Sequence, residues 1–281
     1  MNWYNEVELL KVNLLSKAYS FPRNWIKCNA CNSVLFFKKL KFNFNICYKC
    51  NYHFKVSSRI RAMKFFDFGV FEELGGNFLP VDFFYFFDTK SYIFRIIDAQ
   101  IKTRETEALC IFKGKIELLD VIVCIFEFEF IGGSMGQVIG DKLVYAINIC
   151  IKYRVPLICF CTSGGARMQE SIVSLMQMPK ISAALGMLSK FRLPFISVVV
   201  NPCMGGVSAS LAMLGDINIS EPGALVGFAG PRVVVGVVRN KVPDNFQSSE
   251  SVLYKGFIDF ICSRIELKSR IATLLKILLR I

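Results

Sequence analysis

Histidine is nearly missing: the chain has one, His53, in 281 residues. A catalytic triad or any histidine-based acid–base pair elsewhere in the chain is thereby excluded. No stretch matches the phosphate-binding loop with its Gly-Lys-Ser/Thr, and none is a dinucleotide fingerprint. An uninterrupted apolar run is also lacking. The longest uncharged stretch, Leu193 to Gly215, is broken by Pro194, Asn201, Pro202, Gly205, Gly206, Ser208 and Ser210. It patterns as buried strand, turn and helix of a soluble protein, not as a membrane span. The opening MNWYNEVELLKVNLL has no basic segment leading into an apolar one, and it carries Glu6 and Glu8. Neither an export signal nor an Arg-rich transit peptide fits, so the expected location is the cytoplasm, or the plastid stroma if the gene is plastid-encoded.

What is present is a large apolar share, 53% of residues, enough for a sizeable core and too much for a disordered chain. Lys and Arg number 34 against 22 Asp and Glu, a net charge of +12. That excess suits a polyanionic partner, whether nucleic acid, a phosphate-bearing cofactor or an acidic protein, and it equally suits compositional drift. Eleven cysteines without an export signal are not a disulfide framework. Seven of them (Cys110, Cys124, Cys150, Cys159, Cys161, Cys203 and Cys262) lie in apolar runs and pattern as core.

The remaining four form Cys28-x-x-Cys31 and Cys47-x-x-Cys50, two knuckles fifteen residues apart. Four thiolates at this spacing make a closed tetrahedral shell that selects zinc, a structural site with no open position for water. Lys38, Lys39, Lys41, Lys55, Arg59, Arg61 and Lys64 surround it, interleaved with Phe36, Phe37, Phe42, Phe44, Tyr48 and Tyr52. Such a pattern is either a nucleic-acid footprint or a solvated basic face over a small aromatic core. His53 is redundant as a fifth ligand, and a supporting or capping role is expected for it.

The periodicity predicts four regions: a helix within 1–24, the cysteine module 25–53, a helical then irregular linking segment 54–105, and a main domain 106–281. Trp3, Val7, Leu10 and Leu14 recur at helical spacing in the first. A helix is expected over about 54–75, with Ser57 as N-cap and Gly69 as stop, followed by an irregular Phe-rich stretch to 105. Beyond it, apolar strands at Val121–Ile131, Val155–Cys161 and Phe195–Val200 each meet a Gly-Gly pair and then a helix. Short strands are expected at Ile217–Ile219 and Ala224–Phe228, and a final amphipathic helix from Glu266. Strands apolar on both faces, alternating with helices, imply an α/β fold with a parallel sheet. Ligands of such sheets sit beyond the carboxyl ends of the strands, where the glycine pairs fall.

Adjacent glycines between a strand and a helix allow backbone amides to face a ligand at the positive end of the helix. Phosphate or the oxyanion of a thioester enolate would suit such a turn, and tight strand–helix packing would explain the glycines equally well. Glu127 and Glu129 alternate with Phe126, Phe128 and Phe130, as a carboxylate pair or as the wet face of a strand edge.

Phe130-Ile-Gly-Gly-Ser-Met-Gly136, Ser163-Gly-Gly-Ala-Arg-Met-Gln-Glu170, Met204-Gly-Gly-Val-Ser-Ala-Ser210 and Gly227-Phe-Ala-Gly-Pro-Arg232 closely resemble the beta subunits of acetyl-CoA carboxylase carboxyltransferase, of the bacterial type. The zinc knuckles, Trp25, the opening Met-Asn-Trp and Phe246-Gln-x-Ser-Glu250 share in the resemblance, which spans nearly the whole chain. It implies a crotonase-like spiral of ββα units preceded by a zinc ribbon. The implied reaction moves a carboxyl group from carboxybiotin, held on a biotin carboxyl carrier protein, to acetyl-CoA, giving malonyl-CoA for fatty acid biosynthesis. Decarboxylated biotin can itself take the methyl proton in that scheme, in keeping with the missing histidine. Gly205 and Gly206 match the family's oxyanion-hole pair. Gly164, Gly165, Ala166 and Arg167 match the turn lining the acyl-CoA side. The implied partners are an alpha subunit in an alpha-two beta-two assembly and biotin carboxylase in the larger complex. The coenzyme's three phosphates would give the basic charge a use. Cys203 departs from the Thr or other small residue usual before Met-Gly-Gly.

Three other functions remain as expectations to be tested. A zinc-ribbon nucleic-acid-binding protein predicts salt-sensitive binding by the first ~60 residues. A crotonase-type acyl-CoA hydratase or hydrolase needs a carboxylate pair such as Glu127 and Glu129. A purely structural subunit would tolerate Gly206→Val.

Overall fold

Residues 24–237, 243 and 245–280 are described by a computed structural model. The helix expected over residues 1–20 lies outside them. The chain divides into two compact units, Met1–Phe54 and Lys55–Ile281.

In the smaller unit β1 (Trp25–Lys27) pairs antiparallel with β2 (Val34–Phe36), which runs into α1 (Phe37–Phe42). Its buried apolar core is Cys28, Leu35, Leu40 and Cys47. Trp25 packs on Phe36 with ring centroids 5.3 Å apart. A core this small does not hold a fold by hydrophobic burial alone.

The larger unit is built on a seven-stranded sheet whose strands lie in chain order. β3 (Phe71–Leu74), β4 (Leu109–Ile116) and β5 (Leu119–Phe126) are antiparallel neighbours. From β5 the sheet continues parallel through β6 (Leu157–Ser163), β7 (Phe195–Cys203), β8 (Ile217–Ser220) and β9 (Phe260–Ile261). Every residue of β6 is buried, as expected of a strand covered on both faces.

The period-two alternation of β5 assigns its side chains to two separate cores. Ile122, Cys124 and Phe126 join the helices α3 (Tyr92–Thr103), α4 (Gln137–Tyr153) and α6 (Gln177–Lys190) through residues such as Tyr92, Ile139 and Leu188. Val121, Val123 and Ile125 join α2 (Ser58–Phe65) and α10 (Leu267–Leu279) through Phe65, Ile271 and Leu275. Burial pushes the thiols of Cys124, Cys159 and Cys203 well up, so they stay neutral members of the core.

Several local expectations are corrected. The helix expected over 54–75 ends at Phe65, and 71–74 is strand β3, because Phe71 and Leu74 gain register partners on β4. The stretch 76–105 holds the twelve-residue helix α3. The strand expected at Val121–Ile131 stops at Phe126, and Ala224–Phe228 forms single bridges, not a strand. The long helix expected before Lys190 is divided into a 3₁₀ turn at Met168–Glu170, α5 (Ser171–Leu175) and α6. Among the described residues Met168–Lys190 is the one stretch long and apolar enough to cross a membrane, and it is broken at Ser171, where φ is +47°. Leu193–Gly215 is strand β7, a turn and short helices within the larger unit, including α7 (Gly205–Ser208).

Above the carboxyl ends of β5, β6 and β7 the connecting loops pair with one another in a second layer. Met135 bridges Ala166 and Cys203 bridges Val226, both in parallel sense. This layer sets the glycine pairs side by side.

Candidate functional site

The two turns after β6 and β7 touch backbone to backbone. Gly205 has φ +63°, and a Cβ placed on it would lie 2.8 Å from the Gly165 Cα. Gly165 has φ +127°. Only glycine combines that conformation with that approach. Ser208 Oγ, 2.8 Å from both the Gly205 and Gly227 carbonyls, ties α7 to the loop behind it.

Most amides of these turns are spent inside the protein. Gly164 N–H donates to Gly132 O at 2.8 Å, Gly165 N–H to Ser163 Oγ at 3.0 Å and Met204 N–H to Ser163 O at 2.8 Å. Gly205 N–H donates to Phe228 O at 2.9 Å. Among the described residues, Ala166 and Gly206 are two whose amides take no such acceptor. Met135 bonds the residues on either side of Ala166, so the Ala166 N–H faces away from that bridge. Gly206 lies in the first turn of α7, where no intrahelical acceptor exists. The residues are neighbours: a Cβ on Gly206 would sit 3.5 Å from the Ala166 Cβ. Two neighbouring amides of this kind, one from a strand–loop turn and one from a helix start, have the arrangement that an oxyanion hole requires.

The structure brings Gly164, Gly165 and Ala166 together with Gly205 and Gly206. Gly205 shapes the loop, and Gly206 carries the open amide. Gly164 and Gly165 supply the close approach, and Ala166 supplies the second amide, which spacing alone did not distinguish. Arg167 is 1% exposed, with its guanidinium held by Glu107 and Glu170. It is turned away from any ligand on the surface of the turn. Beside α7 lies a largely apolar cavity of about 450 Å³, lined by Ser208, Val226, Phe228, Phe246, Gln247 and Lys255 among others.

Ser134 stands in a Gly-x-Ser-x-Gly frame that the sequence reading passed over. Its hydroxyl donates to Ile131 O at 2.7 Å and accepts from the Arg167 guanidinium at 3.4 Å.

Glu127 and Glu129 do not form a catalytic pair. Glu127 is buried and accepts from the Ser58 amide at 2.8 Å and the Ser58 hydroxyl at 3.1 Å, capping the start of α2. Ser57, the expected cap, makes no side-chain capping bond. Glu129 pairs with Lys102 at 2.5 Å. Glu127→Gln is expected to leave turnover intact and to lower stability by about 1–3 kcal/mol, as read from denaturant midpoints, because a charged acceptor at buried donors is lost.

In the cysteine module the four sulfur atoms lie within 4.8 Å of one another. Cys28 and Cys50 are 3.6 Å apart, Cys31 and Cys47 3.9 Å. A tetrahedral zinc with Zn–S bonds of about 2.3 Å has sulfur–sulfur edges of about 3.8 Å, so the cluster fits a metal of that size. Hydrogen bonding from Ser33 holds the Cys31 thiol down at about 6, favouring the ligating thiolate. His53 is buried and bridges Ile46 in the backbone ladder, away from any fifth-ligand role the spacing could suggest. Of the basic residues around the module, two are committed elsewhere. Arg59 pairs with Glu105 and Glu73, and Arg61 is buried against Glu221. Lys38, Lys39 and Lys41 remain exposed.

Residues 93–260 match the model of the carboxyl transferase domain. Solved structures with the same fold include a Pseudomonas malonate decarboxylase hetero-dimer at 20% identity and TM-score 0.59, covering 78% of this chain and 86% of that one. Transcarboxylase 12S with methylmalonyl-coenzyme A and methylmalonic acid bound is similar at 26% identity and TM-score 0.65, over 79% of this chain and 41% of that one. The beta subunit of P. aeruginosa geranyl-CoA carboxylase is similar at 15% identity and TM-score 0.61, over 97% and 44%. This chain therefore spans less than half of the latter two. The match takes in the glycine turns and more than half of the chain, so the chain belongs to the carboxyl transferase domain family and has its crotonase-like fold.

Proposed function

We propose that this chain is the beta-type subunit of an acetyl-CoA carboxylase carboxyltransferase, which carboxylates acetyl-CoA to malonyl-CoA. The observation that carries the proposal is the pair of unspent amides at Ala166 and Gly206, where the two glycine turns meet. An acyl thioester whose oxygen accepts both amides becomes easier to enolise, because the charge that develops on that oxygen meets donors already in place. Carboxybiotin on a biotin carboxyl carrier protein supplies the carboxyl group. This chain contributes the amides, a rigid backbone beneath them and the apolar cavity beside α7. The carboxylates paired with Arg167 beneath the turn, Glu107 and Glu170, are neutralised by it, so the base for the methyl proton comes from the second reactant. Cys28, Cys31, Cys47 and Cys50 hold a structural zinc.

A companion alpha subunit would complete the site, as an alpha-two beta-two assembly. The hetero-dimer and hetero-tetramer of the malonate decarboxylase relatives support a partner of this kind. The hydratase or hydrolase alternative loses its support, since Glu127 caps a helix and Glu129 is paired with Lys102. The nucleic-acid alternative is weakened by the commitment of Arg59 and Arg61 to buried acids.

The deciding experiment measures malonyl-CoA formed from acetyl-CoA and carboxybiotin, with this chain alone and with a matching alpha subunit. Turnover is expected only in the mixture. A folded, zinc-loaded mixture that makes no malonyl-CoA would overturn the proposal.

A further inference from the structure

Beneath the Gly164–Arg167 turn lies a set of polar groups that the reaction does not explain. Arg167, Glu107, Glu170 and Tyr92 are all at most 2% exposed. The guanidinium makes a two-pronged contact with Glu107 and also donates to the Tyr92 hydroxyl at 2.9 Å and to Ser134 O at 3.0 Å. Tyr92 in turn donates to Glu170 Oε1 at 2.5 Å. Glu170 Oε2 accepts the Gln137 N–H at the start of α4, where the helix dipole favours a carboxylate. Gly136 makes that approach feasible, since a Cβ there would fall 2.4 Å from Glu170 Oε1. Four separate segments are pinned to one point: α3 through Tyr92, the start of β4 through Glu107, the 131–135 loop through Ser134, and α4 through Gln137.

Burying two carboxylates and a guanidinium gives no stability that apolar side chains of similar volume would not give as well. What it gives is direction, since bidentate and charge-assisted bonds tolerate little angular error. The residue next to Arg167 is Ala166, whose open amide must point at a defined place. Its chain neighbours are held on both sides: Gly165 by Ser163 Oγ and Met135 N–H, Arg167 by Met135 O and the cluster.

We infer that Arg167, Glu107, Glu170 and Tyr92 are positioning residues that fix the direction of the Ala166 amide, and that Arg167 is not a ligand for the coenzyme's phosphates. The kinetic part of this inference rests on the carboxyl-transfer function; the structural part does not.

Two variants test it in the complex reconstituted with the alpha subunit. Arg167→Lys keeps the charge and loses the fork; Tyr92→Phe removes one hydroxyl from the cluster and keeps the ring that packs the core. Each is assayed with acetyl-CoA and with acetyl-pantetheine, which has no phosphate. Backbone hydrogen exchange of residues 163–168 is followed in parallel. The expected result is a fall in kcat of about 10- to 100-fold for Arg167→Lys and a smaller fall for Tyr92→Phe, since a misplacement of about 1 Å can cost 100-fold. The factor should be the same for both thioesters, with KM unchanged and faster exchange confined to the turn. A rise in KM for acetyl-CoA that disappears with acetyl-pantetheine would make Arg167 a phosphate ligand and overturn the inference. Unchanged kcat and unchanged exchange in Tyr92→Phe would also overturn it. If the wild-type mixture makes no malonyl-CoA, the functional proposal falls, and the exchange of Tyr92→Phe still decides whether the cluster holds the turn.

Discussion

Gly205→Ala in the reconstituted complex is expected to lower kcat by about 100- to 1,000-fold, the loss that follows from disabling one oxyanion donor. The added methyl would stand 2.8 Å from the Gly165 Cα, a backbone atom that cannot swing aside, at a residue whose φ is +63°. Either the turn opens or α7 shifts, and both carry the Gly206 amide away from the Ala166 amide. The neighbouring substitution behaves differently. A methyl on Gly206 would meet first the Met178 Sδ at 3.1 Å, the far part of a flexible side chain, and no left-handed φ is involved. Gly206→Ala should therefore keep most of the turnover. Gly206→Val brings branched bulk against Ala166 and Met135 and should lose it about as completely as Gly205→Ala. Steady-state kinetics on the three variants, with thermal melting to confirm folding, checks the order. Full activity in Gly206→Val would show that the chemistry belongs wholly to the partner.

The second large effect concerns the cysteine module. Removing the metal with a chelator, or replacing Cys47 by Ser, should unfold residues 24–54 and leave the larger unit standing. Structural zinc in such modules contributes on the order of 10–16 kcal/mol of binding free energy at neutral pH, and that free energy is folding free energy. The module's apolar core is Cys28, Leu35, Leu40 and Cys47, two of which belong to the four-sulfur cluster, so the same change disturbs cluster and core together. The sequence has no tryptophan in residues 55–281, and Trp25 packs on Phe36 in the smaller unit, so tryptophan fluorescence carries no signal from the larger unit. A shift of emission on chelation, with the far-ultraviolet dichroism of the larger unit retained, is the expected outcome. Metal analysis should give one zinc per chain in the wild type. A module that keeps its fluorescence without metal would remove the structural role of the cluster.

Patterns carried by neighbouring residues were legible before any coordinates. The Cys-x-x-Cys pairs announced a tetrahedral shell because each knuckle is a local loop, and only the meeting of the two knuckles is nonlocal. Uniformly apolar strands followed by Gly-Gly and a helix announced the parallel part of the sheet. The strand at Leu157–Ser163 is buried along its whole length, as the absence of any polar alternation required.

What depended on distant partners was not legible. Residues 71–74 look helical in isolation and become a strand because β4 offers them a register. Glu127 looked like half of a carboxylate pair, yet it caps a helix that begins 69 residues earlier in the chain. Arg167 was expected in a turn lining the acyl-CoA side, and its side chain turns inward because Glu107, 60 residues away, supplies the matching carboxylate. Sequence alone determined the class of fold, the four-cysteine cluster and the glycine turns, since these rest on residue type and short spacing. Which amides of those turns remain open was decided only by the tertiary structure. An amide is free or spent according to the acceptor that packing brings to it, and the Phe228 carbonyl that takes the Gly205 amide comes from 23 residues away, while among the described residues no acceptor comes to Gly206.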